Sequence, residues 1–274
     1  MRLYLLPIST RRTLLYAHRV GANAARNESY VDRAAGWAAR KWEEWETRDK
    51  GWQKHVVSYG NAALRRIPYE EWGLKSVPPL SKRRIAEVLG SGAGTKAKAK
   101  VELVYPPSVI GAHRAEAVLR TLGTERHSFH RQRMIWCIIG MPISAPFALV
   151  PVVPNIPFFY LVYRAWSHWR AISGGKHIRW LLDNNLVLQS PSKSLDAAYT
   201  NKSSVAELET DGPERMLITE KHIPGLARQL DIPALHIELE RAVWQVEQSL
   251  KKDKPPRSGG DKAKTDGGKE GKQD

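Results

Sequence analysis

Proton chemistry in this chain falls first to its nine histidines, and their spacing limits what they can do. His127 and His130 stand three apart, on one face of any helix, but no Glu-x-x-His pattern accompanies them, so solvated helix positions are expected rather than metal ligands. His168 and His177 flank a long apolar segment. Histidine titrates near neutrality, which makes this pair the candidates for pH sensing, against the plain alternative of interfacial residues. Glu43, Glu44, Glu70 and Glu71 occur as adjacent pairs, the usual pattern of a solvated face. The single cysteine, Cys137, excludes an intrachain disulfide and reads as a buried, inert thiol. Gly-x-Ser-x-Gly, Walker and Rossmann patterns are absent, and Gly90–Lys100 lacks the Gly-x-x-x-x-Gly-Lys spacing despite its glycines and lysines. The chain is therefore expected not to be an enzyme, with no cofactor and no metal.

The segment that governs the rest lies between Arg133 and Arg164, where the thirty residues Met134–Tyr163 contain no charged side chain. Fourteen of them are Ile, Leu, Val or Phe. On an insertion scale these favour the bilayer by on the order of −6 kcal/mol. The prolines Pro142, Pro146, Pro151, Pro154 and Pro157 argue against one straight helix, each costing about 3 kcal/mol in a helix interior. Two short apolar arms are expected, about Met134–Leu149 and Ile156–Tyr163. They would form a hairpin that dips into the bilayer and returns, with Asn155 near its tip, and non-helical backbone at that depth calls for partners or self-association.

Basic and aromatic residues flank both arms. Arg131 and Arg133 precede the segment, Arg164 and Arg170 follow it, and Trp136, Trp166 and Trp169 stand where interfacial tryptophans would. Positive charge on both sides puts both flanks on the same, positive-retaining face, which in mitochondria is the matrix. The formal charge of +15 and the pI near 9.9 fit contact with phosphate-bearing surfaces. Fourteen basic residues against six acidic ones in Arg65–Arg133 run straight into the apolar segment, the arrangement of lipid contact rather than base reading.

Around this segment the chain divides into further stretches. Residues 1–28 are arginine-rich and nearly free of acids, a composition that suits a mitochondrial import signal. Residues 29–133 read as a helical region, with tryptophans recurring from Trp37 to Trp52, a turn region at 66–80 anchored by Trp72, and a flexible linker at 90–100 before a possible strand at Val101–Tyr105. Residues 164–250 read as C-terminal helices with a polar loop at 189–212, and Leu235, Leu239, Ala242, Val243, Val246 and Leu250 form one stripe. Residues 251–274 lack any large apolar side chain and read as a disordered tail. The fold class expected is mainly α: a helical membrane-associated protein with one proline-rich apolar hairpin.

Several long and peculiar strings carry a resemblance: MRLYLLPISTRRTLLY at the start, RIPYEEWGLKSVPP at 66–79, VELVYPPSV at 101–109, IIGMPISAPFALVPVVPNIPFFYLVYRAWSHWRA at 138–171, and LDIPALHIELERAVWQVEQ near the end. Over about Met1–Leu250 the chain resembles the fungal mitochondrial potassium–proton exchange-related family. The resemblance implies inner-membrane association and a part in matrix potassium and proton homeostasis; it brings no catalytic or ion-binding residue with it. A proton-coupled carrier needs ionisable groups at membrane depth and usually repeated spans, and Met134–Tyr163 has neither. An accessory or regulatory subunit is therefore expected, in contact with membrane lipids and with partners of the exchange system, and able to self-associate. No small-molecule substrate beyond K+ and H+ is expected. The alternative is a membrane-attached matrix protein serving mitochondrial ribosomes or membrane-protein insertion, although no recognised motif supports nucleic-acid binding.

Overall fold

A computed structural model describes residues 1–18, 65–82, 85–86, 100–146, 155–199 and 212–253, with part of 36–60. Departure from the expected helical chain begins at residue 2. Arg2–Pro7 (β1) and Thr13–His18 (β2) pair antiparallel, with Leu3 opposite Ala17 and Leu5 opposite Leu15. The turn between them closes on Ser9, whose hydroxyl oxygen accepts from the amides of Arg11 and Arg12. Val101–Tyr105 (β3) lies parallel to β1, and Val187–Pro191 (β4) lies parallel to β3, giving the strand order β2-β1-β3-β4.

Parallel neighbours need crossovers, and helices supply them. Tyr69–Ser76 (α1) stands in the first connection. The second holds Ala112–Thr124 (α2), His127–Ser144 (α3) and Ile156–Asp183 (α4). After β4 come Lys193–Ala197 (α5), a 3-10 turn at Glu220–His222, Ile223–Gln229 (α6) and Leu235–Asp253 (α7). The core is built from Leu3, Leu5, Leu6, Leu14 and Leu103 on the sheet, with Leu119, Ile178, Leu181, Leu239 and Val246 from the helices over it.

The protein is thus mixed α/β, which corrects the mainly α class. Among the described residues no helix is long and apolar enough to cross a membrane. The physical reason for the first error is burial on both faces. Leu3, Tyr4, Leu5 and Leu6 are all buried, so β1 shows none of the alternation that marks a half-exposed strand. The leucines that suggested an import signal are core, and the Arg11–Arg12 pair belongs to the hairpin turn. The Trp72 turn region is instead helix α1, and the polar loop begins inside β4 and contains α5. β3 stands where a strand was expected. In α7 the expected stripe is buried from Leu235 to Val246, with Leu250 half-buried. The glycine-rich linker up to residue 99, the tail from 254 and most of the tryptophan-rich stretch lie outside the described residues.

Two glycines seat α4 against its neighbours. A Cβ on Gly174 would overlap the carbonyl oxygen of Leu74 in α1, and one on Gly175 would overlap that of Gly123 in α2. Helices α3 and α4 do pair as an antiparallel hairpin: His130 meets His168, Gly140 meets Leu161, and Ser144 meets Asn155. The charge-free parts are short, however. Met134–Ser144 rises roughly 16 Å and Ile156–Tyr163 roughly 12 Å, against ~30 Å of hydrocarbon.

Candidate functional site: a buried acid–base joint under an apolar arm

Four helices meet where α3 and α4 leave the body, and each contributes ionisable side chains. Helix α1 presents Glu71 and Lys75, one turn apart. Helix α4 presents Tyr163, Arg164, Ser167 and His168; α3 presents His130; α7 presents Glu238 and Arg241. The side chain of Gln245, also in α7, ties the assembly down. Its carbonyl oxygen accepts the Tyr69 amide at the start of α1, and its amide group donates to the backbone oxygens of Arg65 and Ile67.

Glu71 is fully buried. Arg164 grips it bidentately at 2.8 and 3.2 Å, and the Ser167 hydroxyl donates to it. Burial opposes the charged carboxylate, yet the Ser167 hydroxyl and the Arg164 guanidinium hold its pKa below the ordinary value. A second guanidinium nitrogen contact, 3.0 Å long, runs from Arg164 to Nε2 of His168. A guanidinium only donates, so Nε2 must accept and the His168 proton sits on Nδ1. Nδ1 lies 3.1 Å from Nδ1 of His130, which must therefore accept in turn and keep its own proton on Nε2. That Nε2 is buried with no hydrogen-bond partner among the described residues. A further proton on either ring would set two donors face to face. Burial, the largest cause, pushes His168 down to about 4 and lowers His130 as well.

Glu71, His130 and His168 bring ligand atoms within 4.8 Å of one another, a donor set that a divalent metal accepts. Arg164 decides against it. The guanidinium already occupies both Glu71 oxygens, and a metal on His168 Nδ1 would need a protonated Nε2 that donates outward. The residues present do not fit a metal.

Lys75 occupies the other side of the joint. Its Nζ lies 3.4 Å from the centre of the Trp72 ring, with the Tyr163 and Trp166 rings at 5.2 and 5.4 Å, and donates to the Tyr163 hydroxyl at 3.2 Å. Arg241 stacks on Trp72 at 4.2 Å and pairs with Glu238 at 2.6 Å. Burial raises the Glu238 pKa despite that pairing, and pushes Tyr163 up to about 12.

The expected site residues separate into two groups. Arg131, Arg133, Trp136 and Trp169 are exposed, as interfacial anchors would be. Arg164, Trp166 and Arg170 are not: Arg164 belongs to Glu71, Trp166 lines the lysine cage, and Arg170 is buried with a guanidinium nitrogen on the Lys75 carbonyl. His168 stays neutral well below neutral pH, and the His177 ring donates to the Pro78 carbonyl at 2.7 Å. Asn155 caps α4 by accepting the Phe158 amide and donates to the Ser144 carbonyl, a structural clamp. Pro142 stands inside α3, Pro146 just beyond its end, and Pro157 in the first turn of α4; Pro151 and Pro154 lie outside the described residues. Sequence reasoning missed Glu71, Lys75, His130, Ser167, Glu238 and Arg241 as one group. The local signals were the i,i+4 spacing of Glu71 with Lys75 and of Arg164 with His168, and the i,i+3 spacing of Glu238 with Arg241.

Beyond the joint the helical pair turns outward. Ile135, Trp136, Ile139 and Ile143 of α3 and Phe159 and Tyr160 of α4 are 43–71 % exposed, an apolar face large enough to call for a partner. The class is therefore an α/β body bearing a helical arm, with a buried cluster of ionisable side chains at the arm's root. The chain belongs to the mitochondrial K+-H+ exchange-related family, whose model matches residues 2–182. It is similar to an uncharacterized protein of Saccharomyces cerevisiae, 23 % identical over 279 aligned residues that cover 93 % of this chain and 87 % of the relative. An uncharacterized protein of Schizosaccharomyces pombe is 28 % identical over 206 residues, covering 73 % and 85 %. No solved structure matches. The family name relates the chain to mitochondria and to K+–H+ exchange.

Proposed function

We propose that this protein is an accessory or regulatory component of mitochondrial K+–H+ exchange, held at the inner membrane on its matrix side, and not a complete carrier. The observation that carries the proposal is the division of α3 and α4. Their outer part (134–146 and 155–163 among the described residues) has no Asp, Glu, His, Lys or Arg, while Glu71, Lys75, His130, Arg164 and His168 are gathered beneath it. Carriers of protons keep titratable groups at membrane depth. Here such groups are at the root of the arm, in reach of conformational control but not of a path through lipid. The arm's charge-free lengths, roughly 12 and 16 Å, suit one leaflet of a ~30 Å hydrocarbon core. Exposed Arg131 and Arg133 at its base favour anionic headgroups. Membrane lipid is therefore the partner we assign to the apolar face.

The test is passive swelling of mitochondria in potassium acetate, with and without this protein. Loss of swelling on removal, restored by the wild-type chain and not by one lacking 134–163, supports the reading. Swelling that does not change on removal overturns it.

A further inference from the structure

Lys75 is only 8 % exposed, and what encloses it does not neutralise it. Among the described residues no carboxylate pairs with its Nζ, and its hydrogen bond goes to a phenol, Tyr163 Oη. Three aromatic rings lie within 5.4 Å of that nitrogen. The charged and titratable groups facing it come from every helix packed there: Glu71 from its own helix, Tyr163 and Arg164 from α4, Glu238 and Arg241 from α7. The cage is also poorly satisfied when closed. The indole N–H groups of Trp72 and Trp166 are buried with no acceptor among the described residues, which leaves their desolvation uncompensated.

We propose that Lys75 is a one-proton switch in this joint: as a neutral amine it lets α1 and the root of α4 close on each other, and uptake of a proton opens them. Two observations carry this. The ammonium has aromatic faces beside it but, among the described residues, no carboxylate in contact to offset its burial, and the side chain bridges directly from α1 to Tyr163, the residue at which the apolar arm begins. In agreement, burial lowers the Lys75 pKa from 10.5 to about 7; Glu71 and Glu238 oppose the shift, and Arg164 and Arg241 add to it.

The sign follows from linkage. An opened joint returns Lys75 to water and to its ordinary pKa, so between about 7 and 10.5 the open form carries one more proton than the closed form. The open population then rises about tenfold for each unit fall in pH, and levels off below about 7. No neighbouring histidine or phenol supplies this step: His168 titrates near 4 and Tyr163 near 12. The inference deepens the proposed role, resting on that reading for its biological meaning. Acidification frees the root of the arm, and alkalinity holds it.

The experiment is hydrogen–deuterium exchange on the full chain between pH 7 and 9, corrected for the intrinsic exchange rate, reading the peptides of α1 and of the Tyr163–His168 turn. Wild type should lose protection about tenfold per unit fall in pH, and K75M should lose that slope. An equal slope in K75M, or none in wild type, overturns the switch. Should K75M fail to fold, 13C NMR of the wild-type Lys75 ε-carbon decides: a midpoint near 7 supports the proposal and one near 10.5 overturns it. The hydrogen–deuterium exchange and NMR readouts use the isolated protein and measure no potassium flux, so failure here leaves the swelling result standing, and failed swelling leaves this result standing.

Discussion

Helix α4 is two helices in its chemistry, and the two halves invert the ordinary rule of burial. Its outer turns, from Pro157 to Val162, are apolar and largely exposed; its inner turns, from Arg164 to His177, draw two guanidinium groups, two imidazoles and a serine inward. The inner half can bury charge because complementary groups arrive from elsewhere: Glu71 from α1, His130 from α3 and the Pro78 carbonyl. Among the described residues, α3 packs along one side of the outer half and the sheet does not reach it. Side-chain type alone does not decide where a helix face ends up; the supply of partners does. The same logic explains why one tryptophan pair divides as it does, with Trp166 in the lysine cage and Trp169, one turn along, 44 % exposed.

The contrast can be broken most severely at the inner half. Glu71→Ala leaves Arg164 buried without its anion, and breaking a buried pair this way should cost about 3–5 kcal/mol. Urea unfolding measures it; a loss under about 1 kcal/mol would mean that the joint is open to water.

A smaller effect concerns pH. His168 binds its proton near 4 in the folded chain and near 6.5 when unfolded, so the unfolded state binds more protons between those values. Stability must therefore fall as pH drops through that window, with about 2 kcal/mol of the loss at pH 5 coming from this residue. His168→Gln should remove that share of the drop between pH 7 and pH 5, read from urea midpoints at the two values. Gly174→Ala tests the closeness of the fit between α4 and α1. The added methyl meets the Leu74 carbonyl and should cost about 1–3 kcal/mol in the same assay.

The outer half should respond least to the same measurement. Ile143 is 71 % exposed, and Ile143→Asp should change stability in solution by no more than about 0.5 kcal/mol. Sedimentation with vesicles containing anionic lipid then sharpens the contrast. Wild type should bind and the aspartate variant should not; equal binding would remove lipid as the partner of this face.

Much of the arm was legible in advance. The charge-free run from Met134 to Tyr163, its break into two helices and the exposed Trp136 follow from composition and proline spacing, because these are local properties. The buried stripe of α7 was legible for the same reason: a helical period of 3.6 shows itself within one segment. The joint was not. Glu70 and Glu71 look alike in sequence, yet Glu70 pairs with Arg126 near the surface while Glu71 is sealed by Arg164 and Ser167. Nothing within a few residues of either glutamate distinguishes them.

By itself, then, the sequence determined the positions of the apolar arm and of Arg131 and Arg133 before it, the C-terminal amphipathic helix, the strand at Val101–Tyr105 and the likeness to a mitochondrial exchange-related family. Only the tertiary structure decided that residues 2–18 are strands and that Arg164, Arg170 and His168 face inward. The physical reason is range. A strand buried on both faces carries no alternation to read, and its parallel partner β3 lies a whole crossover away. A buried charge is stable only beside its counter-charge, and for Arg164 that group stands 93 residues earlier in the chain.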